Sequence, residues 1–317
     1  MKYDRICSEK EKREKVLKMK IGIIGLGNIS QKAYLPVMMA MDKTIEWHLF
    51  TRDQEKLAKI GGKYRISNLY SSVEELLMSG VEAVFIHTAT HTHEALIRQC
   101  IEKGIHVYVD KPISEDLDEV KTLMQLAEEK NVLLVTGFNR RFAPMIKKLK
   151  EVPNKSMVFV QKTKPNSSGS VKYAIYDLFI HVVDTALFLL DEPVIQTNFS
   201  IKEENGDLKT CVLHLTTKHT ECIATMNYNS GANFETAEVQ SPTGTHRVTN
   251  LTDYEIETAG KKQVINFSDW DQTLEKRGFA PLIRDTIEGF ENQVNPVSME
   301  SSLESHRICQ LIVADYV

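Results

Sequence analysis

The stretch Met19-Lys20-Ile21-Gly22-Ile23-Ile24-Gly25-Leu26-Gly27-Asn28-Ile29-Ser30 constrains this chain more than any other. An apolar run ends in a glycine turn and opens a helical pattern, which is how a buried parallel strand passes into a helix. Gly25 permits the tight turn, and Gly27 lets the backbone approach a pyrophosphate seated on the positive end of the helix. Ser30 stands where a third glycine is usual and is small enough for close helix–strand contact. A glycine turn alone is a weak signal, because a purely structural turn looks the same. Its context strengthens it: near-continuous apolar runs at residues 21–24, 45–50, 83–86, 105–109 and 132–135 alternate with amphipathic stretches. Such runs suit parallel strands buried on both faces, and repeated βα alternation predicts a doubly wound sheet with right-handed crossovers. Ser72-x-x-Glu75 reads as a capping box, and Leu117, Val120, Met124 and Ala127 fall on one side of a helix.

After Asn139 the rhythm changes. Residues 157–160 read as a strand, 165–170 as a turn-rich loop and 173–190 as a strongly apolar helix. Successive β-like runs follow at 210–217, 221–228, 235–240, 246–249 and 263–267, with a turn at Thr243-Gly244, and helices near 280–291 and 299–316 close the chain. Strands without intervening helices predict a mostly antiparallel open sheet. The expected fold is α/β: an N-terminal Rossmann domain over 19–139 and a C-terminal α+β substrate and oligomerisation domain over 140–317, after a charged extension over 1–18.

Composition excludes several classes. With 39 Lys and Arg against 43 Asp and Glu, the net charge of -4 offers no footprint for nucleic acid or a basic membrane-binding face. No run of apolar residues is long enough to span a bilayer. The cysteines Cys7, Cys100, Cys211, Cys222 and Cys309 are scattered without CxxC spacing, which suits a reduced chain. Residues 1–18 carry no apolar core of a signal peptide, so a cytoplasmic location is expected.

Cofactor choice is written after the second strand, where an NAD site usually carries an acid for the ribose 2′-hydroxyl. Here the residues are Phe50-Thr51-Arg52-Asp53. A neutral Thr51 and a cationic Arg52 favour the 2′-phosphate of NADP(H), with NAD as the alternative if Asp53 or another acid takes the ribose. Asp177, His181 and Asp184 stand at i, i+4 and i+7, one face of an otherwise apolar helix, which is costly unless they are paired or face a cleft. Lys111, just before Pro112, lies at the carboxyl end of a strand, where open α/β sheets bind ligands. Asn139, Arg140 and Arg141 fall on the same edge: one arginine for cofactor or substrate, the other for an interdomain ion pair, with no sign of which. Lys162, Lys164 and Asn166 suit an anionic or polyol substrate, or a solvated loop. Trp270 suits packing more than covering the site. His87, His91 and His93 cluster in sequence, but their spacing is no zinc pattern and no metal is expected.

Three further motifs follow the strands in order: Thr88-Ala89-Thr90-His91-Thr92-His93, Val109-Asp110-Lys111-Pro112 and Asp177-Leu178-Phe179-Ile180-His181. With the glycine loop they resemble the Gfo/Idh/MocA oxidoreductases across essentially the whole chain after Met19. Gly27 to Pro36, Gly137 to Pro144, His181 to Leu187 and Arg277-Gly278-Phe279 resemble the MviM/YceM-like members in particular. The resemblance implies that Asp110-Lys111-Pro112 stands for the family's Glu-Lys-Pro, one methylene shorter at the acid, with Lys111 reaching the nicotinamide ribose and the substrate hydroxyl. It implies that His181 is the acid/base and Asp177 its partner in Asp-x-x-x-His. Thr88-Ala89-Thr90 departs from the family's Thr-Pro-Asn, while His93 falls where the family has its histidine. The cofactor contacts expected are Gly25, Gly27, Asn28, Ile29, Thr51, Arg52, Thr88, His93, Asp110 and Lys111; those to substrate are Asn139, Arg140, Lys162 and Asn166. The expected reaction moves a hydride between nicotinamide and a hydroxyl or carbonyl carbon of a small sugar or polyol, with His181 moving the proton, Lys111 polarising the oxygen and Asp177 supporting both. A homodimer or higher homo-oligomer is expected through the open sheet. The competing expectations are a non-catalytic dinucleotide-binding sensor or scaffold and a metal-dependent hydrolase.

Overall fold

A computed structural model describes residues 18–41 and 45–316; apart from Lys18, the expected charged extension lies outside the described residues. The first unit runs β1 (Met19–Ile24), a π turn at Ser30–Tyr34, α1 (Leu35–Met38), β2 (Ile45–Phe50), α2 (Gln54–Tyr64), β3 (Leu69–Tyr70) and α3 (Val73–Met78). It continues with β4 (Ala83–Ile86), α4 (His93–Glu102), β5 (His106–Val109), α5 (Leu117–Glu129) and β6 (Leu134–Thr136). The six strands are parallel in the order β3-β2-β1-β4-β5-β6. This is the Rossmann order, and the direction of winding reverses beside β1, which opens a crevice at the carboxyl ends of β1 and β4. The apolar runs are buried on both faces as their sequence requires: Ile21, Ile23, Ala83 and Phe85 enter one core, while Ile24, Val84 and Ile86 enter the other. Ser72 caps α3 by accepting from the Glu75 N–H at 3.1 Å; the Glu75 carboxylate reaches back to the N–H of Ser71, one residue before the capping-box partner.

The second unit contains α6 (Pro144–Lys150), β7 (Met157–Thr163), α7 (Val171–Ala174), a π turn at Ile175–Phe179 and α8 (Ile180–Leu189). Seven strands follow: β8 (Gln196–Glu204), β9 (Asp207–Thr216), β10 (Glu221–Asn227), β11 (Phe234–Ser241), β12 (Gly244–Thr249), β13 (Asp253–Thr258) and β14 (Lys261–Ile265). They form with β7 an eight-stranded sheet ordered β14-β13-β12-β11-β7-β10-β9-β8, antiparallel except for the β7–β10 pair. Helix α8 covers one face against β7 and β10, and the other face, with Phe159, Ile223 and Phe234, stays partly exposed. The β-like runs expected from sequence omit β8 and β13. Both carry acids and few apolar residues, and in β13 only Tyr254 is buried, so the two-residue period is too thin to see.

Helices α9 (Thr273–Lys276), α10 (Phe279–Asn292) and α11 (Met299–Tyr316) end the chain. Although they follow the second sheet in sequence, α10 and α11 return to the first. Phe290 packs against Phe85 and His106 with ring centroids at 6.0 and 5.5 Å, and the Asn295 amide donates to the Leu134 carbonyl at 2.9 Å. Trp270, expected to pack, is 94% exposed on the segment before α9. No helix among the described residues is long and apolar enough to cross a membrane.

Candidate active site

Two adjoining hollows lie at the carboxyl ends of the parallel strands. The first, about 550 Å³, is lined by Gly25, Gly27, Thr51, Arg52, Lys56, His91 and neighbouring residues. Gly25 has φ +96, and a Cβ there would sit 2.9 Å from the His87 carbonyl, so only glycine fits the turn. A Cβ at Gly27 would meet nothing within 4 Å; the backbone there faces open space large enough for a phosphate. Asp53 is engaged at the start of α2. Its carboxylate caps α2 by accepting from Lys56 N–H at 2.9 Å and lies 3.2 Å from Lys56 Nζ. Arg52 is exposed on the rim and pairs with no carboxylate among the described residues. Open glycine backbone and a basic rim fit the phosphates of a dinucleotide.

The second hollow, about 410 Å³, meets the first at Thr88 and Ala89 and is lined by Ile29, Tyr34, Asp110, Lys111, Asn139, Arg140, Asp177 and His181, among others. Lys111 lies two residues past the end of β5 and reaches across to the second unit. Its Nζ donates to the Asp177 backbone carbonyl and stands 3.2 Å from Asp177 Oδ1. Burial lowers the Lys111 pKa, and Asp177 only partly offsets this. His181 lies one turn beyond Asp177, and its Nδ1 is buried without a hydrogen-bond partner. Burial first, then the charges of Arg140, Lys111, Lys162 and Arg277, hold its pKa well below the usual histidine value. The resting imidazole is therefore neutral at physiological pH, rather than poised near its ordinary titration point.

Asp184 does not share this hollow. Arg141 Nε lies 3.0 and 2.9 Å from its two oxygens, and Ser305 Oγ donates to it at 3.1 Å. Of the two alternatives for the polar stripe, Asp184 takes the paired one, a turn beyond His181 on α8. Both arginines form ion pairs: Arg141 is buried on Asp184, while Arg140 holds Glu235 through Nε and Nη2 at 3.1 and 2.9 Å and also lines the hollow.

Other expected contacts lie elsewhere. His93 lines neither hollow: it is 1% exposed, with its ring nitrogens 2.9 Å from Pro112 O and 3.1 Å from Thr88 O. It joins the loop after β4 to the loop after β5 instead of meeting a cofactor directly. Asn28 is exposed at the helix start and lines neither hollow. Asn166, at φ 40 in the loop after β7, also lines neither. Lys162 sits behind Arg140, 3.0 Å from Asn233 Oδ1 and 3.8 Å from Glu235 Oε2. The histidine cluster disperses, since His87 Nδ1 pairs with Asp110 Oδ2 at 3.0 Å, and no three His, Cys, Asp or Glu side chains converge as a metal site among the described residues.

Residues given no individual role from sequence complete the site. Tyr34 lies tilted against His87 with centroids 4.0 Å apart and shares a 2.7 Å hydroxyl contact with Tyr108. Gly278, at φ +79, lets the start of α10 press on the Asn139 loop: a Cβ there would be 2.1 Å from Asn139 O. Three buried polar residues on α11 each grip a segment that carries site residues. Ser302 meets Thr136 at 2.7 Å, Ser305 meets Asp184, and His306 Nε2 accepts the Ile113 N–H at 3.0 Å while its Nδ1 donates to Ser302 O at 2.8 Å. Burial drives the His306 pKa down to about 4. The unfolded chain therefore binds a proton that the folded chain refuses, so this contribution is full above the ordinary histidine pKa and fades as pH falls through it towards 4. Denaturant melts should show wild type losing up to about 3 kcal/mol over that window, with the slope reduced in His306→Gln.

Known proteins share this architecture. Residues 19–138 match the model of an oxidoreductase family with an NAD-binding Rossmann fold, and 144–259 match a YceM-like C-terminal domain. The YceM protein of Salmonella typhimurium is 30% identical over 94% of this chain and 98% of its own. The myo-inositol 2-dehydrogenase of Thermotoga maritima is 28% identical over 62% of this chain and 64% of its own. A dehydrogenase structure, MviM from Clostridium difficile, superposes with a TM-score of 0.88 at 31% identity over 94% of this chain and 99% of that one. Fold and matches together make the chain an oxidoreductase built on an NAD(P)-binding Rossmann unit. It belongs to the Gfo/Idh/MocA family, with a YceM-like second half.

Proposed function

We propose that this chain is an NADP(H)-preferring oxidoreductase acting on a hydroxyl or carbonyl carbon of a small polar molecule, a sugar or polyol. The observation that carries it is the meeting of Lys111, Asp177 and His181 in a hollow that opens at Thr88 and Ala89 onto the glycine-loop cleft. When bound, the nicotinamide cofactor supplies the hydride chemistry. Lys111 Nζ donates to the substrate oxygen and stabilises its alkoxide character, and Asp177 fixes that ammonium in place. Neutral His181 accepts the hydroxyl proton in the oxidative direction and returns it in the reductive one. Negative charge developing on the oxygen offsets the surrounding cations and raises the basicity of the ring as it is needed. The polyol class draws on the name of the Thermotoga relative.

Arg52 and the committed Asp53 support the NADP preference. Titrations following nicotinamide fluorescence are expected to show NADPH binding more tightly than NADH. Arg52→Gln is expected to weaken NADPH by about tenfold or more, the cost of one charge-assisted contact, with NADH little changed. Tighter NADH binding to wild type overturns the preference. A chain that binds NADPH but turns over no sugar, polyol or acid derivative would be the dinucleotide-binding sensor instead. A homo-oligomer through the open sheet face belongs to the same proposal. So does a cytoplasmic location, with which the four free, buried cysteines Cys100, Cys211, Cys222 and Cys309 agree.

A further inference from the structure

Behind one wall of the hollow beside His181, three cations share a single carboxylate. Lys111 and Arg140 line that hollow with Asp110 and Asp177, while Lys162 and Arg277 stand back from it and reach Glu235 together with Arg140. Asp110 pairs with His87. Asp177 offsets Lys111. Glu235, only 7% exposed, must serve three cations at once: Arg140 at 2.9 Å, Arg277 at 3.6 Å and Lys162 at 3.8 Å. The Arg140 and Lys162 side chains are each only 12% exposed, so water compensates them poorly. Arg140 spends Nε and Nη2 on the single oxygen Glu235 Oε2, no hydrogen bond among the described residues engages its Nη1, and the side chain lines the hollow. His181 lines the same hollow, and its buried Nδ1 is unpaired.

We propose that the substrate carries an anionic group, a carboxylate or a phosphate, which lies against Arg140 beside His181 while the reacting hydroxyl rests on Lys111. This rests on the function proposed above and narrows its substrate class from sugars and polyols to their acids or phosphate esters. The anion completes the fork of Arg140 and supplies the negative charge that Glu235 alone cannot share among three cations.

The test compares matched probes on the NADPH-loaded protein: D-glucose and D-glucitol as neutral members, D-glucuronate and D-gluconate as carboxylates, D-glucose 6-phosphate as the phosphate. Binding is read from the fluorescence of bound NADPH; turnover is read as NADPH oxidation for glucose, glucuronate and glucose 6-phosphate, which carry a carbonyl, and as NADP+ reduction on NADP+-loaded protein for glucitol and gluconate. At least one anionic probe is expected to bind about tenfold or more tightly than its neutral counterpart, with an advantage that shrinks as salt is raised. The arm that wins separates carboxylate from phosphate. The advantage is expected to vanish in Arg140→Gln, which leaves Glu235 to Lys162 and Arg277, and to fall sharply in Arg140→Lys, which keeps the charge without the fork should the first variant fold poorly. Equal binding of neutral and anionic probes overturns the proposal, as does binding of no anionic probe or an anion advantage that survives both variants. Failure of NADPH itself to bind strikes the proposed function instead, so the two failures are told apart.

Discussion

Lys111→Met is expected to lower turnover by about a hundredfold to a thousandfold, the usual cost of removing one charged donor aimed at a developing oxyanion. Methionine keeps the length and apolar stem of lysine, so the wall of the hollow stays filled while the ammonium, held by the carbonyl and carboxylate of Asp177, is gone. NADPH affinity is expected to change much less than turnover, because Lys111 lies in the second hollow and the phosphate cradle in the first. Fluorescence titration and steady-state rates on the same preparation separate the two effects. The lysine is partly desolvated and its pKa lies below the ordinary value, so the alkaline limb of the wild-type rate profile is expected below the usual lysine range. A variant that keeps its turnover within a few-fold of wild type would remove Lys111 from the chemistry.

Asp184→Ala is expected to be the most destabilising single change near the site, costing about 3–5 kcal/mol, because it strands the Arg141 guanidinium in the interior. Arg141 is 7% exposed and Asp184 1%, and Ser305 loses its acceptor in the same stroke. The pair also joins the loop after β6 to α8 and α11, so the damage falls on the junction between the two sheets. For a chain of this size the loss corresponds to a fall in Tm on the order of 10 °C. Replacing both partners together, Arg141→Met with Asp184→Leu, is expected to recover much of it, since no uncompensated charge remains. A single variant losing under 1 kcal/mol in denaturant melts would show that the pair is not the lock described here.

What the sequence made legible was local, or repeated with a period. The glycine turn and the buried runs of β1, β2, β4, β5 and β6 announce a doubly wound sheet because each is a short pattern with one physical solution. Lys111 was visible as a charge at a strand end beside proline, and His181 as a polar residue on an apolar helix. Glu235, His306, Ser302 and Ser305 were not, since each gains its meaning from a partner far away in sequence: Glu235 from Arg140, and the α11 residues from Ile113, Thr136 and Asp184. Asp184 was legible as part of a polar stripe that must be paired or face a cleft, and it is paired; that its partner is Arg141 and not Arg140 could not be read from spacing. His93 and Asn166 show a further limit, because sitting in or near a motif does not say whether a side chain points at a ligand or into the protein.

The most direct test of the central claim is a single-turnover measurement with NADPH-loaded protein, a panel of keto sugars and keto acids, and wild type beside His181→Ala. The account predicts that wild type oxidises bound NADPH with at least one member of the panel, and that His181→Ala still binds NADPH yet slows that step by about a hundredfold or more. Oxidation at the same rate in both proteins would contradict it, as would a wild-type chain that binds NADPH and never oxidises it.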